Sequence, residues 1–168
     1  TALHQSEYAL IDSMIPIFSP AGVQELLDFG VLGWELSRFA GVWVGLKCMK
    51  DTVEVTEVVD GSVERIEVKK PVFSFPEEGV QIRTNDLAAI QEERLHKVKI
   101  PAVKAFARAN NLNKVVFSKE GAKIGLVSAG KSWLDTVHAL DLLGINEQKA
   151  RELGISTFKV GLVWPLEE

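Results

Sequence analysis

The feature that most constrains this chain is a glycine-punctuated pattern near its C-terminal end. Residues 123–128 form a short apolar run with Ile124, Leu126 and Val127, which predicts a buried strand. Residues 133–143 place Leu134, Val137, Leu140 and Leu143 at helical spacing, and Gly144 stops that helix. A helical turn over 147–153 closes at Gly154, and 155–163 reads as a second strand. Strand, helix and strand joined by short loops close as a right-handed crossover with parallel strands, so the predicted class is α/β. Two strands are too few for an open sheet. Either a hairpin elsewhere joins them, or further strands lie beyond Glu168.

The first fifty residues read as helical. Tyr8, Ala9, Ile11 and Ile15 fall on one helical period, and Pro16 stops it. Pro20 opens a second helix with Val23, Leu26 and Leu27 inward and Gly30 at its end. A third is predicted over 31–50, containing Cys48 as a buried thiol. Its Gly33, Gly41 and Gly45 each cost about 1 kcal/mol in a helix and imply a backbone packed closely against that face. Val53, Val55 and Val58, then Asp60-Gly61, then Val63, Ile66 and Val68 predict a hairpin. Pro71 and Pro76 mark a linker. Residues 85–110 read as helical, with a break near Ile100 before Pro101 and a stop at Asn110.

Composition excludes several classes. One cysteine in 168 residues leaves no disulfide framework and no four-cysteine metal or cluster site within this stretch, and it suits a reducing, cytoplasmic setting. No apolar run reaches the length of a membrane helix, since Glu35, Ser37, Arg38 and Lys47 interrupt the longest. A net charge of −4 does not fit a nucleic-acid binder. That figure hides a segregation. Residues 94–131 hold nine bases and one acid, a net +8, leaving −12 elsewhere. Such a run reads as a solvated face, or as a surface for a phosphate-bearing ligand or an acidic partner. The chain starts without Met and ends just after an apolar run, so both ends read as cut.

Residues 125–132, Gly-Leu-Val-Ser-Ala-Gly-Lys-Ser, satisfy the phosphate-loop pattern. The physics does not follow. Gly125 lies inside the predicted strand, so only Ser128, Ala129 and Gly130 remain as loop, too few to wrap a phosphate. Ser132 is instead an expected N-cap with Asp135 completing a capping pair. A small-anion or nucleotide site on Gly130, Lys131 and Ser132 at the helix start is the alternative function. His4, His96 and His138 lack ligand spacing, so no metal site is expected. His138, among apolar helix neighbours, is expected to be structural. The remaining polar cluster is His4-Gln5-Ser6-Glu7 at the head of the first helix. It reads as a cap or as an active-site loop.

Several strings together resemble the alpha subunit of indolepyruvate ferredoxin oxidoreductase, long bacterial form. They are His4-Gln5-Ser6-Glu7-Tyr8-Ala9, Met14-Ile15-Pro16, Pro20-Ala21-Gly22-Val23-Gln24-Glu25, Gly33-Trp34-Glu35-Leu36-Ser37-Arg38-Phe39-Ala40-Gly41 with Trp43-Val44-Gly45, Gln91-Glu92-Glu93-Arg94, Lys99-Ile100-Pro101-Ala102 with Ala105-Phe106-Ala107-Arg108-Ala109-Asn110, Gly130-Lys131-Ser132-Trp133-Leu134-Asp135, and Lys159-Val160-Gly161-Leu162-Val163-Trp164-Pro165-Leu166. They stand in family order; residues 56–80 do not resemble it. The resemblance implies an internal fragment of a thiamine-diphosphate enzyme. That enzyme oxidatively decarboxylates aryl 2-oxoacids, passes the acyl group to coenzyme A and reduces ferredoxin. It implies residues 1–50 as the C-terminal part of a pyrimidine-binding domain, 51–115 as a connector, and 116–168 as the first part of a transketolase C-terminal-like domain. Thiamine diphosphate, Mg²⁺, 4Fe-4S clusters and coenzyme A are implied for the parent, and none for this segment alone. The implied partners are the parent's remaining domains, ferredoxin and a second copy in a homodimer. His4, Gln5, Ser6 and Glu7 match a stretch near the cofactor. The family's activating glutamate, its G-D-G motif and its cluster cysteines are not identifiable here.

Overall fold

A computed structural model describes residues 5–117 and 120–167. His4 and Lys119 therefore lie outside the described residues. The first helix, α1 (Glu7–Asp12), is shorter than expected. It ends in a left-handed turn at Met14 (φ 57°), where the Ile15 N–H donates to the Leu10 carbonyl at 2.8 Å. Pro16 then leads into β1 (Ile17–Phe18).

Two predicted helices are one. Helix α2 (Val23–Ala40) runs through Gly30 without stopping. Its apolar period continues past the glycine, and Phe29, Leu32, Leu36 and Ala40 are all buried. Their burial outweighs a glycine penalty of about 1 kcal/mol. The helix stops at Gly41 (φ 66°) rather than near Lys50. A Cβ at Gly41 would sit 2.8 Å from the Val80 carbonyl oxygen, so the expected close backbone approach occurs here. Gly33 meets Val44 and the Phe18 ring in the same way. Gly45 belongs to β2 (Gly45–Leu46), and Cys48 is exposed beyond it rather than buried in a helix.

The expected hairpin does not form. Helix α3 (Lys50–Val53) occupies its start, and no strand follows before residue 113 among the described residues. Gln24 and Asp28 hold the Asp60 turn on α2, and one further hydrogen bond closes the turn itself. The Asp60 N–H donates to Gln24 Oε1 at 2.8 Å. Asp60 Oδ1 accepts from the Ser62 N–H at 2.8 Å. Arg65 donates twice to Asp28 Oδ1, at 3.0 and 2.7 Å. Of the alternating apolar residues, Ile66 and Val68 pack against the core with Phe73 and Phe75, while Val53, Val55 and Val58 stay exposed. Phe39 meets the Phe75 ring edge-on at 5.2 Å.

Helix α4 (Ala88–Arg94) passes through a π-helical turn (Leu95–Lys99) into α5 (Ile100–Ala109). The break expected near Ile100 is this π turn. Pro101 sits in the first turn of α5, where its missing N–H does least harm. Asn110 ends α5 as expected; its side-chain amide bridges to Lys69. Ala102, Val103, Phe106 and Ala107 bury against Leu32, Leu36 and Ala40 of α2 to make the core.

The C-terminal third is the expected crossover. Strand β4 (Ile124–Ala129), helices α6 (Lys131–Leu142) and α7 (Glu147–Leu153), and β5 (Ile155–Val160) place β4 and β5 parallel, from Ile124↔Ile155 to Ala129↔Val160. A strand absent from the prediction, β3 (Asn113–Phe117), pairs antiparallel to β5, giving the order β3-β5-β4. The fold is α/β with mixed sheets. β4 is an edge strand with Val127 68% exposed, not a buried strand. On α6 only Trp133 and Leu140 are buried; Leu134, Val137, Leu143 and His138 face solvent.

The second predicted strand is two. Gly161 separates β5 from β6 (Leu162–Trp164), which pairs with β1 in a second sheet, β2-β1-β6. A Cβ at Gly161 would overlap the Leu112 carbonyl oxygen and approach the Phe29 ring at 2.9 Å. Gly161→Ala should therefore lower the urea unfolding midpoint, a loss of about 1–3 kcal/mol. Gly30, with open space around its missing Cβ, should behave oppositely: Gly30→Ala should gain up to about 1 kcal/mol. Equal effects of the two changes would contradict the packing described.

Candidate functional site

The two sequence candidates from opposite ends of the chain meet in one cleft. Its walls include Gln5, Glu7 and Tyr8 from the α1 end and Lys131, Ser132 and Asp135 from the start of α6. Lys47, Asp51 and Trp164 complete it, and its volume is about 640 Å³. The meeting has a local cause. β1 ends in buried Ser19 and Pro20, and Gly130 (φ 55°) turns β4 into α6 directly against them. A Cβ at Gly130 would fall 2.7 Å from Ser19 Oγ, and the positive φ there also favours glycine.

Behind the cleft lies a charged strut. Lys159 on β5 is buried and ion-pairs with Glu25 of α2. Its ammonium also lies 5.9 Å from the centre of the Trp133 ring. The second oxygen of Glu25 accepts from the Ala21 N–H at 2.8 Å. One carboxylate thus caps the start of α2 and holds the crossover unit against it.

Within the cleft four of the charges form two pairs, and Asp51 joins neither. Glu7 accepts from Lys47, and this hydrogen bond holds its carboxyl below the usual 4.5. Lys131 donates to Asp135 at 2.6 Å, which raises its pKa, with a smaller contribution from Asp51. Gly130, not Ser132, occupies the N-cap position, and no side chain caps this helix end. Asp135 is turned to Lys131 instead. One residue separates β4 from α6, so no phosphate-wrapping loop exists here. Ser6 sits at the N-cap of α1. Sequence reasoning found Gln5, Ser6, Glu7, Lys131 and Ser132 but missed Lys47, Asp51 and Trp164. Lys47 had left a signal, as a cation interrupting an apolar run.

The cleft offers two ion pairs, aromatic walls and hydrogen-bonding groups. The described residues do not hold three His, Cys, Asp or Glu side chains placed to share a metal. The candidate metal and cluster donors are also too few in kind, because iron–sulfur clusters need several thiolates and Cys48 stands alone. No described helix is long and apolar enough to cross a membrane.

The Glu7–Lys47 pair has a pH signature. A carboxyl depressed in the folded state stabilises above its unfolded pKa and loses that contribution as pH falls through the folded value. Lys47→Met should move the Glu7 carboxyl up toward 4.5 in a ¹³C NMR titration and flatten the loss of stability below that pH. An unmoved titration would show that Lys47 does not hold Glu7.

Comparison with known proteins places one finding on this fold. No curated protein matches the chain. Residues 114–168, which contain β3 to β6 and the Gly130-Lys131-Ser132 wall of the cleft, match the family model described as Indolepyruvate oxidoreductase domain.

Proposed function

We propose that this chain is a segment of a thiamine-diphosphate-dependent oxidoreductase that oxidatively decarboxylates aryl 2-oxoacids of the indolepyruvate type. In this reading the parent passes the acyl group to coenzyme A and electrons to ferredoxin. The observation that carries it is the family match over the crossover unit, the part of the chain whose fold is most regular. Residues 1–50 serve as the end of a pyrimidine-binding domain, 51–115 as connector and 116–168 as the opening of a transketolase C-terminal-like domain. Gln5, Ser6 and Glu7 flank the cofactor region. In this reading the cofactors themselves are held by other parts of the parent.

Uncovered apolar surface supports a larger assembly. Val115 and Val127 are 54% and 68% exposed on the sheet, and Trp34 is 66% exposed on α2. Apolar exposure of this kind marks surface that another domain covers. The test is a viologen-reduction assay on the full native polypeptide. Reduction should require an aryl 2-oxoacid, coenzyme A and thiamine diphosphate together. The 168-residue chain alone should give none. Activity with none of these 2-oxoacids would overturn the reading.

A second reading concerns the basic run. Asp86, Glu93, Glu167 and Asp135 answer Arg94, Lys97, Arg108 and Lys131. Lys104, Lys114 and Lys123 form no ion pair among the described residues. They suit an acidic protein such as ferredoxin. Lys114→Glu with Lys123→Glu should abolish salt-sensitive ferredoxin binding, read by calorimetry at low and high salt, while leaving the melting temperature within a few degrees. Undiminished binding would remove this reading.

A further inference from the structure

A second cleft of about 670 Å³, lined by none of the residues that line the first, has no assigned role. Its walls come from the turn after α1, the C-terminal end of α2, the 81–82 loop and the π turn. That volume suits a small organic molecule. The walls are mixed: Met14, Val42, Trp43, Ile82 and Leu95 give an apolar part, and Gln81, Gln91, Glu92, Arg94 and Lys99 a polar one. Trp43 and Ile82 are 82% and 83% exposed, so two large apolar side chains stand at its mouth uncovered.

Arg94, Lys99 and the Glu92 carboxylate all line this space, and neither Lys99 nor Glu92 has an ion-pair partner among the described residues. Arg94 is tied to Asp86 at 2.6 Å. The Lys99 ammonium donates to the Gly41 carbonyl at 2.8 Å, where it caps the end of α2. Partial burial and the nearby Arg94 guanidinium lower its pKa. Lys99 is the last residue of the π turn, in which the Ile100 N–H reaches back to the Leu95 carbonyl. Such turns recur at functional sites. Met14 adds a second sign. It adopts a left-handed conformation that a glycine would take without cost, yet it presents a long apolar side chain to the cleft.

We propose that this cleft binds a small amphipathic anion, with a single carboxylate on Lys99 and a flat apolar body against Met14, Trp43 and Ile82. The site is separate from the α1–α6 cleft and independent of the oxidoreductase reading. The anion supplies the charge that Lys99 lacks, and the body covers the exposed Trp43 and Ile82. A ligand with only one of these parts fits half the site.

The experiment uses 2-naphthoate as probe, with neutral 2-naphthylmethanol, acetate and inorganic phosphate as comparison arms, read by amide NMR titration of the whole chain. Naphthoate should saturate, with shifts confined to residues 13–15, 41–43, 81–82 and 91–99. Lys99→Met should weaken it at least tenfold while naphthylmethanol, weaker from the start, is unchanged. Lys97→Met, which removes an exposed cation on the same turn, should leave both unchanged. Because Lys99 also caps α2, Trp43→Ala provides a variant that keeps the cap, and it should weaken both naphthyl ligands. Met14→Gly should raise the melting temperature and weaken naphthoate. Equal loss in Lys97→Met and Lys99→Met, or displacement of naphthoate by phosphate or acetate at matched concentration, would overturn the proposal. So would the absence of saturation into the millimolar range.

Discussion

The rest of the structure depends on the junction at Gly161. There one strand leaves the crossover sheet and enters the sheet built on β1. The Gly161 N–H donates to the Leu112 carbonyl at 3.0 Å, and Asn113 Oδ1 accepts from the N–H groups of both Gly161 and Leu162 at 2.9 Å. The Gly161 carbonyl accepts from the Ser19 N–H at 2.8 Å. A strand that changes sheets abandons its ladder partners for one residue, and buried peptide groups left unpaired there are costly. Asn113 and Ser19 answer each of them. The absence of a side chain at Gly161 lets the Phe29 ring and the Leu112 peptide close over the turn.

From that junction the candidate site follows. Because β6 pairs with β1, the segment after β1 lies against the start of α6, and Ser19 meets Gly130. The Lys159–Glu25 pair adds a buried charge contact between the same two parts. Removing one partner would strand the other in a poorly solvated place, so such pairs fix relative position more than they add stability. The N-terminal stretch Gln5-Ser6-Glu7 and the Gly130-Lys131-Ser132 turn become neighbours through this packing, not through any property of either motif.

The fold was legible in the sequence where local chemistry decided it. Gly154 closes α7 because a left-handed residue was needed there, and the parallel pairing of β4 with β5 follows from the helical crossover between them. It was illegible where a distant partner outbid a local signal. Asp60-Gly61 carries a strong turn signal, but Gln24, more than thirty residues upstream, takes both backbone hydrogen bonds of Asp60, and Asp28 holds the Arg65 side chain beside it. Gly30 carries a stop signal, but the apolar period on both sides of it is buried as one face. β3 was hidden because Lys114, Val115 and Val116 are exposed, so no inward period marked it.

The charge run shows the same limit from the functional side. Nine bases in 94–131 look like one basic surface only when the chain is read as a line. Folding sends Arg94 to Asp86 and Arg108 to Glu167, so much of the run is neutralised by acids inside or outside it. What remains distinctive is not the number of bases but which one is left facing a cavity. Lys99 was unremarkable in the sequence, one lysine among several on a helix. Its meaning comes from a π turn that no propensity scale registers and from a carbonyl at the end of another helix. A cation in that position answers to geometry, and neither composition nor spacing along the chain could have singled it out.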